Sequence, residues 1–405
     1  MALSFLFPAA LVSTELACAF PSKGGIYTWV KKALPGPWGF IAIWLQIVAV
    51  ITMMPAYLSF DAATFSYSFS SNLANNRYFL IFFILIVYWA ITFISILGMK
   101  TAGWMNTIGA FLGIFIPVIL LIVLGTIWYF TNNRTNVVFT SKALVPDFSY
   151  TNLLFLAGLL FSLTGMESSG SHTLDLKNVQ KNYPRAMILT AIIILFIGLG
   201  AVAIAIVIPK QEISVVAGLM QTFEILLDKF NMKWFTPILA LLITCGSVVT
   251  INSLIIGPSK GVLGTAKYGD IPPILAKQNK FGMPANLLFF QAIIVSIYSL
   301  IFIFMPNPNT TYCLLTAILS VSYMIMYLLL FISVIVLRYT KPEVHRPFKI
   351  PGGKIGLWLT ALLGVLSALV GIVVSFFPPT QLHNKHYLLY EGTLIGGILL
   401  GSVII

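Results

Sequence analysis

The chain has 405 residues, of which 59% are apolar and 8% are charged, and its mean hydropathy is +0.98. A soluble domain carries about a quarter charged residues, so this composition excludes a water-soluble protein. It predicts an all-α polytopic membrane protein that forms one transmembrane domain over residues 1–405. The net charge of +12 could suggest a nucleic-acid partner, but the distribution of the basic residues excludes one, as shown below.

Apolar segments of about the 20 residues needed to cross a bilayer recur along the whole chain. Eleven spans are predicted, at residues 3–20, 38–60, 78–98, 104–130, 150–174, 186–208, 235–257, 285–305, 312–337, 356–377 and 388–405. Between the sixth and seventh spans, the apolar residues of 217–230 recur at helical spacing with acidic residues between them. This pattern predicts a short amphipathic helix lying on the outer face of the membrane.

The basic residues alternate between the two sides of the predicted membrane. Sixteen of the 23 lie in five alternate loops, at 21–37, 99–103, 175–185, 258–284 and 338–355. The positive-inside rule places these loops in the cytoplasm, so the basic balance is a topology signal rather than a nucleic-acid footprint. Met1 is then expected outside, with the first span running inward and the protein in the inner membrane.

The fifth predicted span contains the polar stretch 161-FSLTGMESSGSH-172. Gly165 weakens a helix by about 1 kcal/mol relative to alanine, and serines prefer helix N-caps to helix interiors. These preferences predict a helix that stops near Gly165, unwinds, and restarts near Ser168 and Ser169. Discontinuous helices of this kind present backbone dipoles to a substrate near the bilayer midplane in transporters. Close packing of small residues between membrane helices is the alternative interpretation of the glycines and serines.

Glu167, Glu15 and Asp61 are acidic residues within or beside apolar segments. Glu167 lies deep in the broken span, and an ionisable group at that depth favours a functional role. The alternative is an anion neutralised structurally by the amides of the restarting helix. Glu15 and Asp61 fall near the ends of predicted spans, where contact with the membrane interface is the expected explanation.

Several strings resemble the amino acid–polyamine–organocation superfamily of transporters. They are 15-ELACAFPSKGGIYTWVKKALPGPWGF-40, 165-GMESSGSHTLDLKNVQKNYPRA-186, 257-GPSKG-261 and 343-EVHRPFKIPGGK-354. Three further strings resemble the bacterial glutamate/γ-aminobutyrate antiporter branch most closely: 145-VPDFS-149, 207-VIPKQEISVVAGLMQTF-223 and 348-FKIPGGK-354. The likeness covers nearly the whole chain, and the order and spacing of the motifs are more specific than any one of them.

The resemblance implies a fold of twelve helices, with two inverted repeats of five and with helices one and six broken at the substrate site. The fifth span of this chain matches helix six, so the expected fold is a five-plus-five inverted repeat that lacks its first helix. Without that helix, half of the substrate site would be absent, and the chain as written is expected to transport poorly.

The resemblance also implies the residues of the site. Gly165, Met166 and Glu167 match the helix-six break, and Ser168 and Ser169 follow it directly. Glu167 is expected to couple substrate occupancy or proton state to gating.

A tyrosine pair in the ninth predicted span also matches the family. Tyr323 and Tyr327 match a pair that faces the pathway, and their spacing of four residues places both rings on one helix face. Aromatic packing is the alternative for these two rings. The chain departs from the glutamate antiporters at Thr250 and Leu254, where those proteins carry an acidic residue and a tryptophan.

The sequence therefore predicts a secondary transporter that exchanges amino acids such as glutamate and γ-aminobutyrate. Its partners would be a small-molecule amino acid and the lipid bilayer, with no cofactor and no metal. Nucleotide-binding and nucleophile motifs are absent from the sequence, which argues against an enzyme. The alternatives are a truncated, non-transporting remnant or interaction subunit, a proton-coupled amino acid or polyamine permease, and a channel.

The predicted orientation is testable by cysteine accessibility in intact cells. A single cysteine at Lys267 should resist an impermeant thiol reagent, because its loop is predicted to be cytoplasmic, whereas a cysteine at Asn309 should react. The opposite pattern of labelling would overturn the orientation.

Overall fold

The fold is described from a computed structural model. The description covers residues 2–98, 107–131, 156, 158–208, 213–266, 269, 271–305, 307–377, 391–392 and 394–396. Within these ranges the regular secondary structure is helical, and no strand occurs. The predicted all-α membrane fold is thereby confirmed.

Nine helices of the described ranges are long and apolar enough to cross a membrane. They are α1 (Ala2–Ala19), α3 (Trp38–Ser66), α4 (Arg77–Ile96), α5 (Thr107–Thr131), α6 (Val179–Val207), α8 (Lys233–Ala266), α9 (Ala285–Phe304), α10 (Pro308–Thr340) and α11 (Gly353–Ser375). Two shorter helices, α2 (Ile26–Ala33) and α7 (Gly218–Lys229), lie between them. These nine correspond to nine of the eleven predicted spans. The last predicted span, 388–405, lies largely outside the described residues.

The centre of the bundle is formed by α3 and α10, which pack against each other. In the most apolar stretch of α3, 89% of the residues are buried, and the corresponding share of α10 is 78%. For α6 the share is only 28%, and apolar side chains such as Ile192 are exposed. Because lipid is the solvent around the bundle, such exposed apolar side chains are expected on peripheral helices.

Helices α5 and α8 approach each other through glycine. A Cβ atom added to Gly246 would lie 2.4 Å from the Cα atom of Gly113, so the two backbones touch directly. Contact of this kind between membrane helices requires residues without a side chain. It places the backbone of α8 close against α5 at this level of the bundle.

The amphipathic helix predicted within 217–230 is confirmed as α7. Its apolar side chains Met220, Phe223, Leu226 and Leu227 are buried, while Asp228 is exposed. The loop before α7 is fastened to the start of α10.

Asn309, at the start of α10, accepts the hydrogen bonds that hold the loop. Its Oδ1 atom accepts hydrogen bonds from the Ser214 hydroxyl and from the backbone N–H groups of Val215 and Val216, at 3.1–3.2 Å. A cysteine at Asn309 would release that loop. Lys233, whose side chain is 65% exposed in the same predicted outer region, is therefore the better position for the topology test.

Glu15 lies near the end of α1, as expected, and it is buried in an ion cluster. The Arg338 guanidinium donates to both of its carboxylate oxygens, with the Nε–Oε1 hydrogen bond at 2.8 Å. Arg346 Nε lies 3.5 Å from Oε1, and the backbone N–H of Ile350 donates to Oε2 at 2.8 Å. One carboxylate thus joins α1, the end of α10 and the loop that precedes α11.

Asp61 lies near the end of α3, but not at the boundary that the sequence predicts. The prediction ended the second span at residue 60, but α3 continues without a break to Ser66. Asp61 is therefore inside the helix, and its side chain is completely buried. A carboxylate in an apolar run suggested a helix end, whereas the structure packs it among neighbouring helices.

Removal of the Glu15 charge is expected to destabilise the fold strongly. Glu15→Gln keeps the side-chain volume but leaves two guanidinium groups without their shared anion. Loss of one partner from a buried ion pair costs about 3–5 kcal/mol of the free energy of unfolding. Thermal unfolding of the purified protein in detergent would measure this loss. The control is Lys349→Gln, which removes an exposed charge from the loop that precedes α11. Equal melting temperatures for the two variants would contradict the expectation.

Candidate substrate site

The fifth predicted span is broken, as the sequence indicated. Residues 158–162 are α-helical, and the helix ends before Gly165, which adopts a left-handed conformation with φ of 100°. Glycine adopts this conformation without the steric penalty that a side chain would bring. The predicted stop near Gly165 is confirmed.

The continuation after the break differs from the prediction. The chain resumes at Met166 as a 3-10 helix, Met166–Asp175, rather than as an α-helix that begins near Ser168. Its N-cap is Gly165, and no side chain caps it. The predicted capping role of Ser168 and Ser169 is therefore wrong, because both serines lie inside the 3-10 helix, where their hydroxyls make other contacts.

Glu167 is buried at the break and accepts four hydrogen bonds. The Tyr327 hydroxyl and the backbone N–H of Gly165 donate to Oε2, the latter at 3.2 Å. The Gln46 side chain donates to Oε1 at 3.0 Å, and the Ser168 hydroxyl donates to the same oxygen at 3.3 Å. An ionised carboxylate accepts hydrogen bonds only, so this donor set suits the charged form.

The network joins the break to both central helices. Gln46 lies on α3 and Tyr327 on α10, and both side chains are buried. The Gly165 N–H also donates to the Tyr327 oxygen at 3.2 Å. Any displacement of the break must therefore exchange or stretch hydrogen bonds to two helices that are themselves closely packed.

The tyrosine pair lies beside this network. The ring centroids of Tyr323 and Tyr327 are 6.3 Å apart, and Phe161 packs on Tyr323 at 6.0 Å. Phe5 of α1 makes an edge contact with the Tyr327 ring at 4.9 Å. The predicted common face is confirmed. The two tyrosines differ, however, because only Tyr327 has its hydroxyl on Glu167 within the described hydrogen bonds.

The remaining predicted site residues divide into two groups. Ser169 donates to the Met166 carbonyl at 2.7 Å and shares a 2.8 Å hydrogen bond with the Tyr183 hydroxyl of α6. Met166 is buried with the apolar core. Its side chain therefore packs in the core, while Ser168 and Ser169 make polar contacts.

The 3-10 helix rests on α2 and the chain that leads into α2. A Cβ atom on Gly170 would lie 2.3 Å from the Trp29 ring, so glycine is required for this approach. The Ser22 N–H donates to the Thr173 hydroxyl at 3.1 Å, and that hydroxyl also lies 3.2 Å from the Ser22 carbonyl. On the predicted topology, these contacts cover the cytoplasmic side of the break.

Gln46 and Tyr183 were missed by sequence reasoning. Each is one polar residue within or beside a long apolar helix, and neither has a distinctive spacing relative to the break. Gln46 carried the stronger signal, because α3 is almost entirely apolar around it. A buried amide in such a helix requires a hydrogen-bond partner, and here that partner is Glu167.

A bundle of membrane-length helices with a broken helix and a buried carboxylate at its centre is the architecture of a membrane transporter. Comparisons with known proteins agree. The amino acid permease family matches residues 1–400. An uncharacterized transporter of Legionella pneumophila is 38% identical over 98% of this chain and 86% of its own length.

Two relatives in Lactococcus lactis carry more specific names. A glutamate/γ-aminobutyrate antiporter is 32% identical over 99% of this chain and 81% of its own length. A probable agmatine/putrescine antiporter is 26% identical over 93% of this chain and 80% of its own length. The chain belongs to the amino acid permease family and is a multi-pass membrane transporter.

Of the two tyrosine hydroxyls, only that of Tyr327 is hydrogen-bonded to Glu167 within the described contacts. Removal of the two hydroxyls should therefore have different effects. Tyr327→Phe deletes a donor to the Glu167 carboxylate, a hydrogen bond of the kind worth about 1.5–3 kcal/mol. We expect exchange by this variant to fall by about tenfold or more. Tyr323→Phe should have a smaller effect, mainly on apparent substrate affinity. Both are measured in proteoliposomes at matched protein levels.

Wild-type exchange by both single variants and by the double variant would show that the pair only packs. A larger loss for Tyr323→Phe than for Tyr327→Phe would contradict the assignment of the Glu167 contact to Tyr327.

Proposed function

We propose that this protein is a secondary antiporter that exchanges amino acids such as glutamate and γ-aminobutyrate across the inner membrane. The observation that carries the proposal is Glu167, a carboxylate buried at a helix break and hydrogen-bonded to both central helices. A buried ionisable group inside a membrane bundle marks a functional site more often than a packing site. The antiporter relatives, which match almost the whole chain, support the same interpretation.

In this proposal the substrate binds near Gly165–Ser169, opposite Tyr323 and Tyr327. Gly165 supplies a backbone N–H at the break, and the hydroxyls of Ser168 and Ser169 supply further polar contacts. The amine is common to γ-aminobutyrate, glutamate, agmatine and putrescine, and Glu167 is the anion at this site that could receive it. Binding would then exchange some of the four hydrogen bonds of Glu167 for a charge-assisted bond to the substrate.

Gating follows from the same contacts. Release of Tyr327 or Gln46 from Glu167 would loosen the break from α10 or α3. A displaced 3-10 helix would move α2 and the segment before α2 with it, because Gly170 touches Trp29 and Thr173 is hydrogen-bonded to Ser22. Alternating access would consist of this local release together with rocking of one group of helices against the other.

Reconstitution into liposomes tests the transport mode. Uptake of labelled γ-aminobutyrate should saturate, should require glutamate or γ-aminobutyrate inside, and should not require ATP. Saturable uptake into vesicles without internal substrate would favour a permease, and uptake that does not saturate would favour a channel. Absence of uptake for glutamate, γ-aminobutyrate, agmatine and putrescine would favour a non-transporting protein.

Glu167 is expected to be essential for the exchange. Glu167→Gln keeps the size of the side chain but removes its charge, so it weakens the bond to Tyr327 and the proposed bond to a substrate amine. Exchange should fall strongly or lose its dependence on pH. Membrane levels should be normal.

Glu343→Gln is the control, because it removes an exposed carboxylate in the loop before α11. If Glu167→Gln and the control both exchange like the wild type at every pH, Glu167 has no role in gating or proton coupling.

A further inference from the structure

Asp61 is a buried carboxylate on α3, and the site just described does not use it. It follows Gln46 by 15 residues, which corresponds to about 22 Å along an α-helix. On the predicted topology α3 runs outward, so Asp61 lies between the Glu167 site and the outer face. Its side chain has no exposed surface.

The two oxygens of Asp61 lack a donor. Within the described part of the chain, no donor lies within 3.5 Å of either oxygen in hydrogen-bonding geometry. Glu15 and Glu167 are just as buried, but the first lies in an ion cluster and the second accepts four hydrogen bonds. A buried carboxylate without a donor is strongly unfavourable, and membrane proteins retain such groups at functional positions.

The neighbours of Asp61 are a hydroxyl and an aromatic ring. Ser247 of α8 lies close enough to interact with the carboxylate, and Tyr57 is one turn earlier on the same face of α3. The side chain of Tyr57 is 37% exposed, whereas Asp61 has no exposed surface. A carboxylate, a hydroxyl and the face of an aromatic ring together are suited to an organic ammonium group.

Tyr57 also connects Asp61 with the central site. It lies on α3, which packs against α10, and α10 carries Tyr323 and Tyr327. The same two helices hold Gln46 and Tyr327, which donate to Glu167. The two carboxylates lie at different depths of what would be one pathway.

We propose that Asp61, Ser247 and Tyr57 form a second binding site, outward of Glu167, that takes the ammonium group of a substrate entering the pathway. The inference rests on the proposed transport function and adds a second substrate-binding site to it. The carboxylate supplies the opposite charge, the serine hydroxyl accepts a further N–H, and the tyrosine ring covers the remaining side of the cation. An amine at this site would precede its transfer toward Glu167.

Asp61→Asn tests the site with external γ-aminobutyrate as the probe. The variant keeps the shape of the side chain and removes its charge, so KM for external γ-aminobutyrate should rise by about tenfold or more. The maximum rate should stay within about twofold, because the Glu167 site is intact. Asp228→Asn, which alters a carboxylate that is 67% exposed on α7, should leave KM unchanged.

Inhibition by butyrate separates binding of the amine from a structural effect. Butyrate has the carbon chain and carboxylate of γ-aminobutyrate without its amine. Weakened γ-aminobutyrate binding with unchanged inhibition by butyrate supports the site. An unchanged KM, or an equal weakening of both compounds, would overturn it.

If Asp61→Asn does not reach the membrane, or is not monodisperse after purification, Ser247→Ala is tested in its place. Loss of the hydroxyl should raise KM for γ-aminobutyrate by roughly threefold, within the range of one neutral hydrogen bond, and an unchanged KM would refute the proposal. Replacement of sodium by potassium tests whether the site binds sodium instead, without adding an organic ammonium. If Asp61→Asn removes a sodium requirement without changing KM at saturating sodium, the ammonium assignment is wrong.

Failure of the transport function itself is recognised separately. If the wild type exchanges no amino acid, the proposed function fails, and the site is then tested by the melting temperature of purified protein in γ-aminobutyrate and in butyrate. Stabilisation by γ-aminobutyrate alone that is lost in Asp61→Asn supports the site. Equal behaviour of the wild type and the variant overturns it.

Discussion

The burial of carboxylates in a low-dielectric bundle is the constraint on which this structure depends. Each such group must find positive charge or hydrogen-bond donors, or retain a large desolvation penalty. Glu15 is compensated by two arginines, and the ion cluster fastens the loop before α11 to the ends of α1 and α10. Glu167 is compensated by donors from three segments, and this fastens the broken span to α3 and α10. The contacts that compensate the charges of Glu15 and Glu167 are therefore the same contacts that hold these segments together. Asp61 is the exception, since neither of its oxygens has a hydrogen-bond partner within the described residues, and this is why we propose a binding role for it.

Much of the fold and part of the candidate site were predictable from sequence. Long apolar segments predicted the spans, because backbone groups in hydrocarbon must be satisfied within a helix. Gly165 predicted the break, since a residue with positive φ is strongly biased toward glycine. The spacing of Tyr323 and Tyr327 predicted a shared face, because four residues complete about one turn. In each case the local chain alone determines the outcome.

The remaining features depend on contacts between distant segments, which sequence patterns do not encode. Gln46 lies 121 residues from Glu167, and no spacing rule connects an amide in one helix to a carboxylate in another. The end of the second span was misplaced because Asp61 interrupts an apolar run, although α3 continues past it. The serines were assigned to a cap by intrinsic preference, but the left-handed Gly165 starts the 3-10 helix without them. Tertiary packing overrides local preference in all three cases.

The contact between Trp29 and Gly170 has a spectroscopic consequence. The indole is fully buried against the backbone of the 3-10 helix, and its N–H donates to the Phe20 carbonyl at 3.1 Å. Indole emission depends on the polarity around the ring, so a displaced 3-10 helix would expose the ring and shift its emission to longer wavelength. The chain contains 8 tryptophans, and a variant that retains only Trp29 would isolate this signal. The protein thus carries a native fluorophore beside its broken helix, where it would follow the gating motion in real time without an attached dye.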